Sequence, residues 1–138
     1  REISFNEIPL CLEANTTEGL AFLKQLAAQL SSRVVDVDTE KRKILHLAAV
    51  FACNFTNHLY ALADEVLQAN QLDFDILRPL IAETANKVQN ALPLDVQTGP
   101  AIRNDEATMQ KHEALLNKQP SLLTIYKTLS DSIKKTRI

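Results

Sequence analysis

The longest uninterrupted feature of the sequence is a helical pattern that begins near Thr39 and meets no helix-breaking residue until about Leu72. At 1.5 Å per residue this pattern predicts roughly 48 Å of helix, which is too long for a small solitary domain. Between Ile44 and Phe55 apolar residues occur on nearly every side of the predicted helix. A helix that is apolar on every side is buried on every side. We therefore expect other helices and a second copy of the chain to cover it.

The stretch before this helix alternates between apolar and polar residues in a way that predicts short strands. The alternating apolar residues are Ile3, Phe5, Ile8, Leu10 and Leu12, and residues 33–38 repeat the pattern. A helix between the strands is indicated by Asn15 as N-cap, with Glu18 three residues later. Because two strands and one helix leave unpaired edges and bare apolar surface, we predict that residues 1–38 are a β-α-β piece of a larger sheet.

The remaining residues, 39–138, are predicted to form a four-helix body led by the long helix. The helix after the long one is expected to have its N-cap at Asp73 and a kink or restart at Pro79. A loop over 93–103 is followed by a helix that starts at 104–106 and ends near Asn117. The last helix is expected to start at Pro120. The fold class is therefore mainly α, with a short β-α-β lead-in.

Composition excludes partners that need a strong electrostatic field. The 138 residues carry a formal net charge of -2, so neither nucleic acid nor an anionic membrane surface is an expected partner. Residues 44–55, the densest apolar stretch, are too few to span a bilayer, and a soluble, cytoplasmic protein is expected. The basic run at 134–137 complements the negative end of a final helix.

Cysteine and glycine usage narrows the chemistry further. Cys11 and Cys53 are the only cysteines, and we expect both to be free and reduced, with Cys53 buried among apolar neighbours. The only glycines are Gly19 and Gly99, so no glycine-rich phosphate-binding loop can be formed. Since the chain opens on Arg1 rather than Met and enters strand-like sequence at once, we expect it to be part of a longer protein.

Four polar residues interrupt the apolar long helix, namely His46, Asn54, Asn57 and His58. At about 100° per residue, His46 and Asn57 are about 20° apart and Asn54 is about 80° from His46, so these three share one broad face. One interpretation is that they hydrogen-bond to neighbouring helices or to a second subunit, because unpartnered burial costs on the order of 1–3 kcal/mol each. The other is that His46 and Asn54 face a cleft, where they hold a substrate or donate a proton.

No metal site is predicted among the three histidines. His46 and His58 point about 120° apart on one helix, and His112 has no second histidine four residues later. No cysteine pair supplements them.

The second candidate is the loop and helix start from Thr98 to Asp105. Gly99 lets backbone approach a ligand, N–H groups at a helix start attract anions, and Arg103 adds a fork for carboxylate or phosphate. An ordinary capped loop with an Arg103–Asp105 surface ion pair is the alternative, and the sequence leaves both open.

Residues 46–57 and 98–105 together resemble one family, the domain of unknown function that follows a Rossmann domain in proteins similar to deazaflavin-dependent NADP oxidoreductases. The resemblance runs from about Asp38 through His112, and residues 1–38 resemble the end of that Rossmann domain. The family is similar in turn to pyrroline-5-carboxylate reductases and to the 6-phosphogluconate dehydrogenase C-terminal superfamily. In those proteins a long helix leads a helical domain that dimerises and closes the catalytic cleft.

The resemblance implies an enzyme that transfers hydride between NADP and a small anionic substrate. Whether a deazaflavin is also used is left open. Its nucleotide-binding Rossmann domain lies outside this chain, which alone is expected to be inactive and to form a homodimer. Thr98-Gly99-Pro100 occupies a place comparable to the substrate loop of pyrroline-5-carboxylate reductases. Related hydroxyacid dehydrogenases have a lysine four residues before an asparagine. Here Val50 stands four residues before Asn54, so that lysine acid is missing and His46 is the candidate to replace it.

The residues expected to carry function follow from these two segments. The catalytic candidates are His46 and Asn54, and the substrate-binding candidates are Asn57, Thr98, Gly99, Arg103 and Asp105. The competing hypothesis is an oligomerisation or regulatory module in a protein that senses NADP without turning over a substrate.

Overall fold

The computed structural model describes residues 4–136, and this part of the chain is mainly helical with a small parallel sheet near its start, as predicted. The elements in order are β1 (Leu10–Leu12), α1 (Thr17–Ala27), β2 (Val34–Asp36), α2 (Thr39–Ala49), a π-helical segment (Val50–Phe55), α3 (Thr56–Gln68), a 3-10 turn (Phe74–Leu77), α4 (Arg78–Asn90), α5 (Glu106–Leu115) and α6 (Pro120–Lys135). The chain divides into two compact units, residues 1–60 and 61–138. The predicted domain boundary after residue 38 stays a prediction.

The two strands lie side by side and parallel, with Leu10 opposite Val34 and α1 as the crossover between them. The N-cap of α1 is Thr16, whose hydroxyl accepts from the N–H of Gly19 at 3.0 Å. The predicted cap at Asn15 is therefore wrong by one residue. Because Glu18 then occupies the second helical position, it does not complete the predicted capping box. The strand signal at Ile3 lies outside the described residues.

A buried serine joins the loop before β2 to the start of the described chain. The Ser31 hydroxyl donates to the carbonyl of Ile8 at 2.6 Å and accepts from the N–H of Arg33 at 3.0 Å. Only 3% of Ser31 is exposed, so these bonds satisfy a polar group that burial would otherwise penalise. The small sheet is thus anchored by polar contacts as well as by strand pairing.

The predicted long helix is confirmed. Its three parts, of 11, 6 and 13 residues, follow one another without a break from Thr39 to Gln68. It ends in a Schellman turn, since the N–H of Leu72 bonds to the carbonyl of Leu67 at 3.0 Å and Gln71 takes a left-handed φ of 59°. The end comes a few residues before Leu72 because this turn, and no proline or glycine, stops the helix.

In a single copy of the chain the long helix is exposed, and the expected cover by a second copy stays a prediction. None of the described residues of α2, the π-helical segment or α3 is buried, and Ile44 and Phe51 are 67% and 63% exposed. The apolar residues that are buried in the described part of the chain are Ala27, Val37, Ala101 and Met109. The long helix therefore presents its apolar side chains to the surroundings.

In the second unit the predicted helix starts are largely confirmed. Asp73 caps the 3-10 turn, and Pro79 lies in the first turn of α4, so the proline restarts the helix rather than kinking it. Pro120 opens α6 as expected. Helices α5 and α6 are tied together by His112 and Tyr126, whose ring nitrogen Nδ1 and hydroxyl lie 2.9 Å apart.

Between residues 4 and 136, none of the helices combines the length and the apolar character that crossing a bilayer requires. The basic residues Lys134 and Lys135 lie in the last turn of α6, as the helix-end interpretation predicts, whereas Arg137 is outside the described residues.

Candidate functional site

The first candidate site contains a π-helical segment that the sequence did not predict. Over Val50–Phe55 the backbone follows the wider i→i+5 pattern, and the Thr56 hydroxyl donates to the carbonyl of Phe51, five residues earlier, at 3.3 Å. By extension from the tighter helices, such a turn holds about 4.3 residues, or roughly 85° per residue. No proline or glycine occurs in this segment to signal it. Wide turns of this kind are often found at functional sites.

The π-helical segment changes which amide lies in line with His46. With about 85° per residue across the segment, Asn54 moves from about 80° to about 20° from His46. Asn57 moves from about 20° to about 55°, on the other side. The angles predicted for a regular α-helix are therefore corrected, because one extra residue is accommodated between the two flanks. His46 and Asn54 lie two turns apart, roughly 11 Å along the axis, so they bracket a ligand rather than contact one atom.

The polar residues of this face are exposed. His46, Asn54, Asn57 and His58 all lie at the surface, and among residues 4–136 none of their side chains has a hydrogen-bond partner. Hydrogen bonds to neighbouring helices are therefore not formed among the described residues, and hydrogen bonds to a second subunit stay a prediction. Their side chains are available to a ligand or to another subunit.

The thiols are both free, as expected. The predicted burial of Cys53 is wrong: it lies exposed in the π-helical segment, whereas Cys11 is half-buried in β1. Apolar neighbours in sequence do not bury a side chain when no second element packs on it. Within the described part of the chain, no cluster of three or more histidine, cysteine, aspartate or glutamate side chains could hold a metal ion.

A polar contact that the sequence did not predict fixes the start of α2. The Glu13 carboxylate, just after β1, accepts from the backbone N–H of Thr39 at 2.8 Å and from Arg42 at 3.1 Å. Thr39, Arg42, Lys43 and His46 line a shallow depression of about 410 Å³ on this helix. Because Glu13 is 26 residues from Thr39 in sequence, no local pattern could have revealed the contact. This contact sets the direction in which the helix bearing His46 leaves the sheet.

The second candidate site is the loop that ends at α5. Gly99 has a left-handed φ of 110°, so the position favours glycine, and an added Cβ would meet nothing within 4 Å. The loop closes on itself through a bond from the N–H of Asp105 to the carbonyl of Pro100 at 2.9 Å, and Ala101 is buried beneath it. Thr98 is exposed at its entrance. The loop is a preformed turn with open space beside its glycine.

Asp105 caps α5 and uses both carboxylate oxygens to do so. Its Oδ2 accepts from the Thr108 hydroxyl at 2.7 Å and its Oδ1 from the Thr108 N–H at 3.0 Å. These two bonds, together with the charges of Arg103 and Lys111, lower the pKa of Asp105. Its substrate-binding role stays a prediction, with the carboxylate already engaged in the cap.

Arg103 is the free cationic group of this loop. It is exposed, and among the described residues it forms no ion pair, with Asp105 or with any other carboxylate. The predicted alternative, a surface ion pair between the two residues, is not formed. A planar guanidinium without a partner can bind a carboxylate or phosphate through two parallel bonds.

The two candidate sites belong to different units of the chain. His46, Asn54 and Asn57 lie in residues 1–60, whereas Thr98, Gly99, Arg103 and Asp105 lie in residues 61–138. Each group is a site candidate in its own right, the first offering imidazole and amide groups and the second a guanidinium beside an open turn.

Comparison with known proteins finds a family and three matching chains among the solved structures. Residues 8–133 match a family described as a domain of unknown function, DUF2520. The structure named "putative NADP oxidoreductase BF3122" from Bacteroides fragilis is 53% identical with a TM-score of 0.90, over 98% of this chain and 52% of that one. Protein TM1727 from Thermotoga maritima is 24% identical with a TM-score of 0.75, over 86% of this chain and 49% of that one.

The second of these likenesses concerns the fold alone. No curated protein matches the chain. The chain spans about half the length of each of these two solved structures.

Proposed function

This chain belongs to the DUF2520 family, and we propose that it is the helical C-terminal part of an NADP-dependent oxidoreductase. The observation that carries the proposal is its 53% identity to the Bacteroides fragilis protein, which is named "putative NADP oxidoreductase BF3122" and is about twice as long. The sheet supports the same view, because its two strands have three residues each and, among residues 4–136, no further strand pairs with either outer edge. Such a pair is marginal alone and is stabilised by further strands.

The remainder of the oxidoreductase would bind the phosphates of NADP. This chain offers no cradle for them, since Gly19 packs against its own N-cap and Gly99 stands in an isolated turn. The exposed Asn54 amide and His46 imidazole instead suit the carboxamide of the nicotinamide end and the substrate beside it. When bound, NADP supplies the hydride chemistry. The chain's own groups orient the reactants and exclude water from them. The deazaflavin of the resemblance has no part in this proposal.

A second copy of the chain would cover the long helix. The exposed apolar side chains along it are Ile44, Leu45, Leu47, Phe51, Phe55 and Leu59. This exposed apolar face supports a homodimer built on the helix.

In the full protein, this chain would contribute one wall of the hydride-transfer site. His46 would protonate the reacting atom of a small substrate, with Asn54 and Asn57 as polar contacts on the same helix. Arg103 would hold the anionic group of the substrate, with Thr98, Gly99 and the capped Asp105 shaping the loop around it.

The test uses the intact protein and two matched pairs of variants. His46→Ala and Arg103→Ala are each expected to lower NADP-linked turnover about a hundredfold on carboxylate- and phosphate-bearing metabolites. His58→Ala on the same helix and the exposed Arg33→Ala serve as controls and should leave turnover within about twofold. The site assignment is wrong if the first pair behaves like the controls. Tight NADPH binding with no turnover on any metabolite would instead favour the regulatory module.

A further inference from the structure

The π-helical segment stands out because the structure gives no packing reason for it. No residue within it is buried, and Phe51 and Phe55 are 63% and 50% exposed. Their rings pack edge to face, with 5.1 Å between the ring centroids. The one side-chain bond that supports it is from Thr56 to Phe51. A wide turn is less favourable than the regular helix on either side, so it persists where something depends on its geometry.

We propose that the π-helical segment sets the register of the candidate site, by turning Asn54 into line with His46 so that the Asn54 amide contacts the nicotinamide carboxamide of NADP. This inference rests on the proposed function. An asparagine amide offers one carbonyl acceptor and an NH₂ donor, which together complement the donor and acceptor of a second carboxamide. Asn54 is exposed and, within residues 4–136, its side chain has no other partner.

The geometry assigns different tasks to the two aligned residues. Because His46 lies roughly 11 Å from Asn54 along the helix axis, the two side chains reach different parts of one ligand complex. Asn54 is then a contact for the cofactor end, and His46 is left for the substrate. In a regular helix Asn57 would take the place of Asn54, one turn further along.

Two single-residue deletions in the full-length protein test the register. Deletion of Ala52 and deletion of Thr56 each remove the extra residue and return the segment to a regular helix. The two variants have the same length and the same register beyond residue 56. After deletion of Ala52, Asn54 follows His46 by seven positions and stays within about 20° of it. After deletion of Thr56, Asn54 follows by eight positions and swings to about 80°.

The readout is the dissociation constant of NADPH, measured by its fluorescence, beside that of the 2′-phosphorylated ADP-ribose fragment that lacks nicotinamide. Deletion of Ala52 should keep NADPH affinity within about twofold of the parent, whereas deletion of Thr56 should weaken it about fivefold, as expected for lost amide hydrogen bonds. The fragment should bind both variants equally. Equal NADPH affinities in the two deletion variants would overturn the inference.

Substitutions provide a second measurement that does not depend on the deletion variants folding. Asn54→Ala should weaken NADPH binding about fivefold and leave the fragment unaffected. Asn57→Ala should cost less NADPH affinity than Asn54→Ala, and the reverse order would mean that the regular-helix register holds. Asn86→Ala, at an exposed position in α4, is the matched amide control. Failure of the parent protein to bind NADPH would refute the proposed function itself, which separates the two questions.

Discussion

Two regions of the molecule differ in whether their polar side chains are hydrogen-bonded within the chain. One is the N-terminal joint, defined as residues 6–42, and the other is the middle of the long helix, residues 44–59. In the joint, Ser31, Glu13 and Asp38 each have partners within the chain, at 2.6 to 3.1 Å. In the middle of the helix, His46, Asn54 and Asn57 have none among the described residues, and apolar side chains beside them are exposed. These polar side chains of the joint find their partners within the chain, whereas those of the helix are available to a ligand or to another subunit.

The largest expected effect breaks that surface. Ile44→Asp places a charge on the exposed apolar face, and we expect it to weaken self-association of the full-length protein at least about a thousandfold, because burying an unpaired charge is costly. Sedimentation velocity measures the change. Leu115→Asp is the control, since Leu115 is 77% exposed and belongs to a different helix, α5. If both variants associate like the parent, the face is not the interface.

The next effect concerns the buried serine of the joint. Ser31→Ala removes the donor to Ile8 and the acceptor for Arg33, and we expect about 2 kcal/mol of lost unfolding free energy, since both backbone groups lose a partner. Urea denaturation of the full-length protein measures it. Ser32→Ala, whose exposed hydroxyl bonds to the carbonyl of Asn6, should cost less than about 1 kcal/mol. Equal losses would show that burial of Ser31 does not matter.

A smaller effect is expected at the carboxylate that holds the start of α2. Glu13→Gln keeps an acceptor for Thr39 but removes the charge that faces Arg42, and we expect a loss of about 1 kcal/mol. Glu40→Gln is the control, because the Glu40–Lys43 pair is largely exposed and contributes about 0–0.5 kcal/mol. The same denaturation measurement applies. A loss at Glu40 that matches the loss at Glu13 would remove the distinction between a joint and a surface pair.

The smallest expected effect is a pH dependence at the cap of α2. The backbone N–H of Lys41 lowers the pKa of Asp38 below its ordinary value of 3.8. Because the folded pKa is the lower one, the stabilisation is complete above about pH 4 and declines as pH falls through the folded pKa. Asp38→Asn should therefore lose less stability than the parent between about pH 5 and pH 2. Parallel stability curves for the two proteins would exclude this contribution.

Much of the fold could be predicted because helix boundaries depend on neighbouring residues. Asp73 and Asp105 cap the elements expected of them, and Pro79 and Pro120 lie in first turns, where a proline lacks only a bond that is missing anyway. The cap at Asn15 was missed by one residue because Thr16 serves equally well, and only the backbone geometry distinguishes them.

The candidate site was less predictable. His46, Asn54 and the loop at Thr98–Asp105 were identified from residue type and spacing, and the structure adds that Asp105 is engaged in a cap while Arg103 is free of ion pairs in the described chain. The angle between His46 and Asn54 could not be predicted, because periodicity analysis assumes a regular helix and nothing in Val50–Phe55 signals a wide turn.

By itself, the sequence determined a mainly helical chain with a long apolar helix, no glycine-rich phosphate loop and a β-α-β start. These properties follow from local chemistry, namely caps, breakers and the spacing of apolar residues. Only the tertiary structure decided that the long helix is exposed, that Glu13 holds its start from 26 residues away and that a π-helical segment turns Asn54 toward His46. Each of these depends on contacts between distant residues or on a change of helical pitch, and neither is encoded in a local pattern.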